Sequence, residues 1–392
     1  MSGSEVEGAD AFTYLSAELK QALSDRGFHT PTIPQRAAIP ALAAGQNALV
    51  IAPTGTGKTE SAMLPVFSHL IEAEPQFGIS ALLITPLRAL NRDMLDRLQW
   101  WGETLDLDVQ VRHGDTTQYQ RQKQADNPPD VLITTPETVQ AMLTGSKLRI
   151  ALSDVEHVID DEIHELVGSK RGAQLTVALE RLHVLAGEFQ RIGLSATVGQ
   201  PDAVAKFLTG DRAYEIINCG QQGAIDIEVR HPSITNEDEQ LAQELATDAT
   251  IASHLRVMDE IIDEHESTLI FVNTRTTAEG LGSRFKKIGT NLGVHHGSLS
   301  KDARIQVEDQ FNAGELDALL CTSSMELGID VGHIDHVIQY QSPRQVRRLL
   351  QRIGRAGHQQ GEVSRGTIIT SSPDDTIESM IIGRKAALGD VE

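Results

Sequence analysis

At 392 residues the chain has room for two or three domains with cores of their own, and no apolar run approaches the roughly 18 residues of a bilayer span, which excludes a membrane-spanning protein. The only cysteines, Cys219 and Cys321, lie far apart; they exclude a disulfide framework and a cysteine-built zinc or iron–sulfur centre, and fit a reducing cytoplasm. Fifty-five acidic side chains against 34 basic ones leave a formal charge of −21, which argues against passive adhesion to nucleic acid and fits a halophile's surface, solvated in high salt.

The chain opens on MSGSEVEGAD, which lacks the basic start and apolar centre of a secretory signal; residues 1–24 are expected to form an acidic arm and lead-in. Short apolar runs then recur, each ending in polar or Gly/Pro residues: NALVIAPT (47–54), SALLITP (80–86), DVLITTP (130–136), EHVIDDE (156–162) and RIGLSAT (191–197). Stretches of helical period such as KTESAMLPVFSHLIEA (58–73) lie between them, and Trp100–Trp101, after NRDMLDRLQ, are expected in the core. Apolar strands alternating with helices predict a parallel sheet covered on both faces, with the polar residues that follow each strand gathered along one edge. An irregular acidic segment, TNEDEQLAQELATD (235–248), separates this unit from a second series: STLIFVN (267–273), GVHHGS (293–298), DALLCTS (317–323), DHVIQY (335–340) and GTIITSS (366–372). The expected fold class is therefore α/β, one unit over 25–217 and another over 218–392.

APTGTGKT (52–59) follows a strand and opens a helix, the context a phosphate-binding loop requires. Across Thr54, Gly55, Thr56 and Gly57, glycines let backbone N–H groups converge on an anion, and the helix N-terminus adds its positive end. Lys58 is expected at the β- and γ-phosphates and the Thr59 hydroxyl on magnesium. The stretch HVIDDEIHELVG (157–168) brings carboxylates to the same edge: Asp161 is assigned to the metal and Glu162 to the attacking water. The same stretch begins like the zinc signature H-E-x-x-H at His164, but Gly168 stands where the second histidine is needed. No other His or Cys pair has ligand spacing along the chain, and the adjacent His295 and His296 cannot share a helix face. Magnesium with a nucleotide is the expected metal chemistry, which leaves kinases, GTPases, transporters and motors open.

The remaining segments arrive in a telling order: Gln35 in TPTIPQRAAIP, then TPLRAL (85–90), RHGDT (112–116), TTPE (134–137), DEIH (161–164) and SAT (195–197). The second unit adds FVNTR (271–275), HHGSLS (295–300), CTSSMELGID (321–330) and YQSPRQVRRLLQRIGRAGH (340–358). Over about residues 25–360 the chain resembles superfamily-two helicases, and among them the large helicase-related (Lhr) family. The resemblance implies two tandem RecA-like domains that take ATP and Mg2+ in a cleft between them. It places the Gln35 amide on adenine, Arg352 and Arg355 as arginine fingers on the transferring phosphoryl group, and Gly328 and Asp330 in the same cleft. Ser195 and Thr197 become the relay from nucleotide to nucleic acid. Thr85, Pro86, Arg88, Thr135, Pro136, Asn273, Arg275 and Thr322 become the track along a nucleic-acid strand, most directly DNA, travelled from three-prime to five-prime.

Family members continue beyond QRIGRAGH into a winged helix and a further domain, whereas this sequence runs 34 residues past His358. The expectation is a nucleic-acid-stimulated ATPase that translocates but unwinds poorly alone, with a partner supplying the accessory domains. Two alternatives stand beside a DNA motor: an RNA helicase or remodeller, and an ATP-gated clamp without motor activity.

Overall fold

The computed structural model of the chain describes residues 10–53, 55–86, 92–196, 198–220, 225–326, 334–356 and 363–391. Packing divides the chain after Gly220 into two units. The first is a seven-stranded sheet of β1 (Ala48–Ile51), β2 (Ala81–Ile84), β3 (Val109–Arg112), β4 (Val131–Thr134), β5 (His157–Asp160), β6 (Gln190–Ser195) and β7 (Glu215–Asn218). They pair in the order β3-β4-β2-β5-β6-β1-β7, every pair parallel.

Alternation along each strand fills two core layers, because successive side chains leave a strand on opposite faces. Val50, Leu83, Ile133 and Ile159 enter one layer; Leu49, Leu82, Leu132 and Val158 enter the other. The helices α1 (Ala17–Asp25), α2 (Ile33–Ala43) and α3 (Lys58–Glu72) close the first layer with Leu19, Ile39, Met63 and Phe67. The helix Lys170–Ala186 closes the second with Leu175, Leu179 and Leu182. Trp101 is buried in the first layer, and Trp100 packs against it beneath the Arg26 guanidinium, 4.0 Å from the ring centroid.

Three expectations are corrected here. The first unit begins before residue 25: Ala11, Phe12, Leu15, Leu19 and Leu23 of the lead-in are buried, Ser16 Oγ caps α1 by accepting from Leu19 N, and Ser16 N donates to Ser68 Oγ on α3. Apolar residues at helical spacing override the acidic composition nearby. The division between units falls after Gly220 instead of 217, because β7 pairs with β1 through Ile51↔Asn218 and a cut at 217 would split the strand. The acidic segment is not irregular: it forms the helix Asn236–Leu245, started by a capping box in which Thr235 and Asp238 each accept from the other's backbone N–H. Asp238 is buried there against the Arg256 guanidinium at 2.9 Å.

The second unit is a six-stranded parallel sheet of β8 (Ile225–Arg230), β9 (Thr268–Phe271), β10 (Leu292–His295), β11 (Ala318–Cys321), β12 (His336–Tyr340) and β13 (Ser364–Ile369), in the order β10-β11-β9-β12-β13-β8. It repeats the two-layer logic, with Leu269 and Phe271 in one layer and Ile270 and Val272 in the other. Among the described residues no helix is long and apolar enough to cross a membrane.

Candidate functional site

Parallel strands deliver the segments after β1, β2, β4, β5 and β6 to one edge of the first sheet. After β1, Ala52 N donates to Ser195 O at 3.0 Å, tying the stem of the glycine loop to β6. Gly55 and Gly57 sit at φ 75° and 78°, in the left-handed region that only glycine enters freely. A Cβ on Gly57 would also stand 2.8 Å from Gln35 Nε2. Gly57 caps α3 without a side-chain acceptor, so the first-turn N–H groups of that helix are presented to an anion. Lys58, the first residue of α3, is buried, with Nζ 3.3 Å from Glu162 Oε1.

At the end of β5, Asp161 N donates to Ile84 O at 2.7 Å and Asp161 Oδ1 accepts from Glu162 N at 3.0 Å. These bonds hold Glu162 at φ 52°, ψ 38°, a left-handed conformation that costs a non-glycine residue about 1–3 kcal/mol. Asp160, Asp161 and Glu162 are all buried. Burial, then the Glu162 charge, pushes Asp161 up to about 7, opposed by Lys58. Asp160 is raised well above the carboxylate range by burial and by Asp161, and neither of its oxygens meets a hydrogen-bond donor among the described residues. Buried carboxylates thus outnumber the ammonium that faces them. Asp161, Glu162 and, on the first turn of α3, Thr59 offer oxygen atoms, the donor type that a hard divalent cation such as Mg2+ takes.

His164 is the residue that sequence reasoning passed over once zinc was rejected. Its Nδ1 accepts from Ala196 N at 3.3 Å and lies 3.2 Å from Ser195 Oγ. That places the ring proton on Nε2, which faces Glu162 Oε2 at 3.5 Å. A buried imidazole therefore joins Ser195, at the end of β6, to the proposed base. The signal was its position two residues after Glu162, at the same edge as Ser195. Gln35 is placed differently from the adenine expectation: its Oε1 accepts from Thr32 N at 3.0 Å in a capping box, while Nε2 turns toward the glycine loop. A two-point contact with adenine requires that oxygen to leave Thr32.

In the second unit, Arg352 is also placed differently from its expected role. The side chain is buried; Nε and Nη2 donate to Glu326 Oε1, and Nη1 donates to Gln339 Oε1 and Asn273 Oδ1. All its nitrogens are engaged inside the unit, as in a strut. Arg355 is buried beside it, with Nη2 donating to Glu326 O at 2.7 Å.

The expected strand contacts divide by exposure. Thr85, Pro86, Thr135 and Pro136 are buried, with Thr85 at 0% exposure just after β2. Thr135 precedes the helix Pro136–Thr144, its hydroxyl 3.0 Å from Thr138 Oγ1 and making no cap bond to the helix backbone. That helix start offers N–H groups at the edge where β4 ends. Asn273 is exposed but turned inward, donating to Ser342 O at 2.9 Å and accepting from Arg352. Arg275 is exposed, within 2.9 Å of Ser298 Oγ and 3.6 Å of Glu279. Thr322 is half-buried at the end of β11. Thr54, Arg88, Thr197, Gly328 and Asp330 lie outside the described residues.

Residues 32–204 match the DEAD/DEAH box helicase family, and residues 253–360 match the helicase conserved C-terminal domain. The first unit thus carries a match to the DEAD/DEAH box helicases and the second a match to the helicase C-terminal domain. It is 40% identical to the ATP-dependent helicase Lhr-Core of Sulfolobus acidocaldarius over 91% of its own length and 42% of that protein's. A solved structure of the Mycobacterium smegmatis helicase Lhr bound to ssDNA and AMP-PNP superposes with TM-score 0.84 at 38% identity, over 98% of this chain and 51% of that one. Dbp5 of S. cerevisiae, solved with RNA and ADP BeF3, matches at TM-score 0.75 and 22% identity, over 98% of this chain and 95% of that one, and shares the fold. Both units are RecA-like. The chain spans less than half the length of the Lhr-Core relative it matches.

Proposed function

We propose that this helicase-family chain hydrolyses ATP with Mg2+ to drive movement along DNA, as an Lhr-like motor in a salty cytoplasm. The observation that carries it is the Lys58–Glu162 pair, 3.3 Å apart beneath a glycine loop, on a sheet whose strands β2 and β4 are followed by Thr85 and Thr135. In this reading the nucleotide's phosphates take the place of Glu162 beside Lys58. Glu162 is then released to orient a water and accept its proton, with His164 holding the carboxylate from its other side. Thr59 and Asp161 would hold Mg2+, which supplies positive charge to the phosphate oxygens. From the second unit, Arg355, with Gly328 and Asp330, supports the charge of the transferring group, as the resemblance implies. Ser195 and Thr197 carry the nucleotide state toward the strand-tracking segments. The relative solved with ssDNA and AMP-PNP supports both the DNA and the ATP assignment.

The deciding experiment is steady-state ATP turnover with single-stranded DNA and with RNA of one sequence, for the parent chain and for Glu162→Gln. We expect stimulation by DNA and a loss of at least about 100-fold in Glu162→Gln, with ATP binding retained. Strand-dependent turnover unchanged in that variant overturns the catalytic assignment; stronger stimulation by RNA transfers the substrate to RNA.

A further inference from the structure

Far from the nucleotide edge, three side chains that the chemistry above does not use converge on one point. His157 opens β5, whereas Asp160 closes it about 10 Å away. Its Nε2 lies 2.8 Å from Nδ1 of His69, in the last turn of α3. Glu156, one residue before β5, brings Oε2 within 3.5 Å of the same His69 Nδ1. One donor atom from each residue lies within 4.8 Å of the others.

The hydrogen bonds around His157 settle which of its nitrogens is a donor. Gln190, its cross-strand neighbour, uses Nε2 to donate to Leu42 O at 2.9 Å and Gln46 O at 2.8 Å, which fixes the amide orientation. Gln190 Oε1 is thereby an acceptor and takes the Nδ1 proton of His157 at 2.8 Å. The lone pair of His157 is left on Nε2, aimed at His69. An imidazole whose far nitrogen donates to a fixed oxygen while the near one is bare is the arrangement that orients histidine toward a metal. The backbone is fixed as well: Glu156 N and His157 N both donate to Ser80 O, and Glu156 O accepts from Gln190 N. The His69 and Glu156 side chains are 50% and 39% exposed, so a cation has access from solvent.

We propose that His69, Glu156 and His157 form a binding site for a divalent first-row transition metal of the Zn2+ type, clamping the end of α3 to the start of β5. Two imidazole nitrogens and one carboxylate oxygen suit Zn2+ and leave a fourth position for water; they do not suit Mg2+, which prefers oxygen throughout. The site joins the far ends of the two elements whose near ends carry Lys58 and Asp161.

The test is calorimetric titration of the full chain, stripped with EDTA and free of nucleotide, with Zn2+, alongside His69→Ala and Glu156→Gln. Cobalt(II) absorption in the visible serves as a second readout. We expect one equivalent that is sensitive to His69→Ala, bound at least about tenfold more weakly in that variant, and a four-coordinate cobalt band that disappears with it. Both positions are solvent-accessible, so circular dichroism should match the parent in each variant. Zn2+ stoichiometry and affinity unchanged by His69→Ala, or binding no tighter than millimolar in the parent, overturns the site and leaves only a hydrogen-bonded histidine pair. Any equivalent held at Asp161 is insensitive to His69→Ala, which keeps the two sites distinguishable.

Discussion

Arg352 shows how a residue's neighbours can reassign a role read from a motif. Burial lowers its pKa and Glu326 raises it, and its guanidinium stacks over Phe271 with Cζ 5.2 Å from the ring centroid. Removing it leaves the Glu326 carboxylate with only the longer Arg348 contact, at 3.6 Å, and leaves Gln339 Oε1 without its guanidinium donor. Breaking a buried pair in this way costs about 3–5 kcal/mol, whereas Arg355, bonded to a backbone carbonyl, should cost about 1–2 kcal/mol. Arg352→Ala is therefore expected to lower both the melting temperature and ATP turnover, and Arg355→Ala to depress turnover mainly. Thermal melts paired with turnover measurements decide the matter: an Arg352→Ala chain that melts with the parent but cannot hydrolyse ATP returns Arg352 to the finger role. Residues contiguous in the chain, such as Lys58 and the Asp161–Glu162 pair, were legible because their spacing is their chemistry. The partners of Arg352 were not, since Asn273, Glu326 and Gln339 meet it only when three strand ends and a helix come together. His69 and His157, 88 residues apart, were illegible for the same reason.

Elements were legible in proportion to how deeply they are buried. Interior strands such as ALLI and VLIT are apolar on both faces and announce themselves. Three of the strands at the sheet edges, VQVR in β3, EIIN in β7 and IDIEVR in β8, are partly exposed and mix polar with apolar residues, so their short runs resemble loops. The helix α1 was hidden by the acidic composition around it, although Leu19 is 0% exposed. This makes a sharp test, because an arm tolerates truncation and a core helix does not. Leu19→Ala is expected to cost about 2–5 kcal/mol and to be read as earlier urea unfolding of the first unit by tryptophan fluorescence, both tryptophans lying in that unit. An unfolding midpoint unchanged from the parent would return these residues to a lead-in outside the core.

For the whole molecule, the charge of −21 sets two effects of salt against each other. Self-repulsion among surface carboxylates opposes folding, and screening relieves it: the Debye length falls from about 10 Å at 0.1 M salt to about 3 Å at 1 M. Exposed pairs such as Lys147–Asp126 lose attraction over the same range, but each contributes only about 0–1 kcal/mol. With 55 acids and 34 bases, like-charge relief is the larger sum, so stability should rise with salt. Attraction to phosphate runs the other way, in proportion to the number of phosphates neutralised. The expected strand contacts include two charged side chains, Arg88 and Arg275, so the loss should be shallow. We therefore expect the melting temperature to climb by at least about 5 °C between 0.1 and 2 M KCl, with turnover at saturating DNA retained and the DNA concentration for half-stimulation rising. A sucrose series of matched osmolality separates screening from general exclusion, since sucrose leaves charge repulsion in place. Full turnover in dilute buffer with collapse in molar KCl would remove the high-salt setting while leaving the motor assignment untouched.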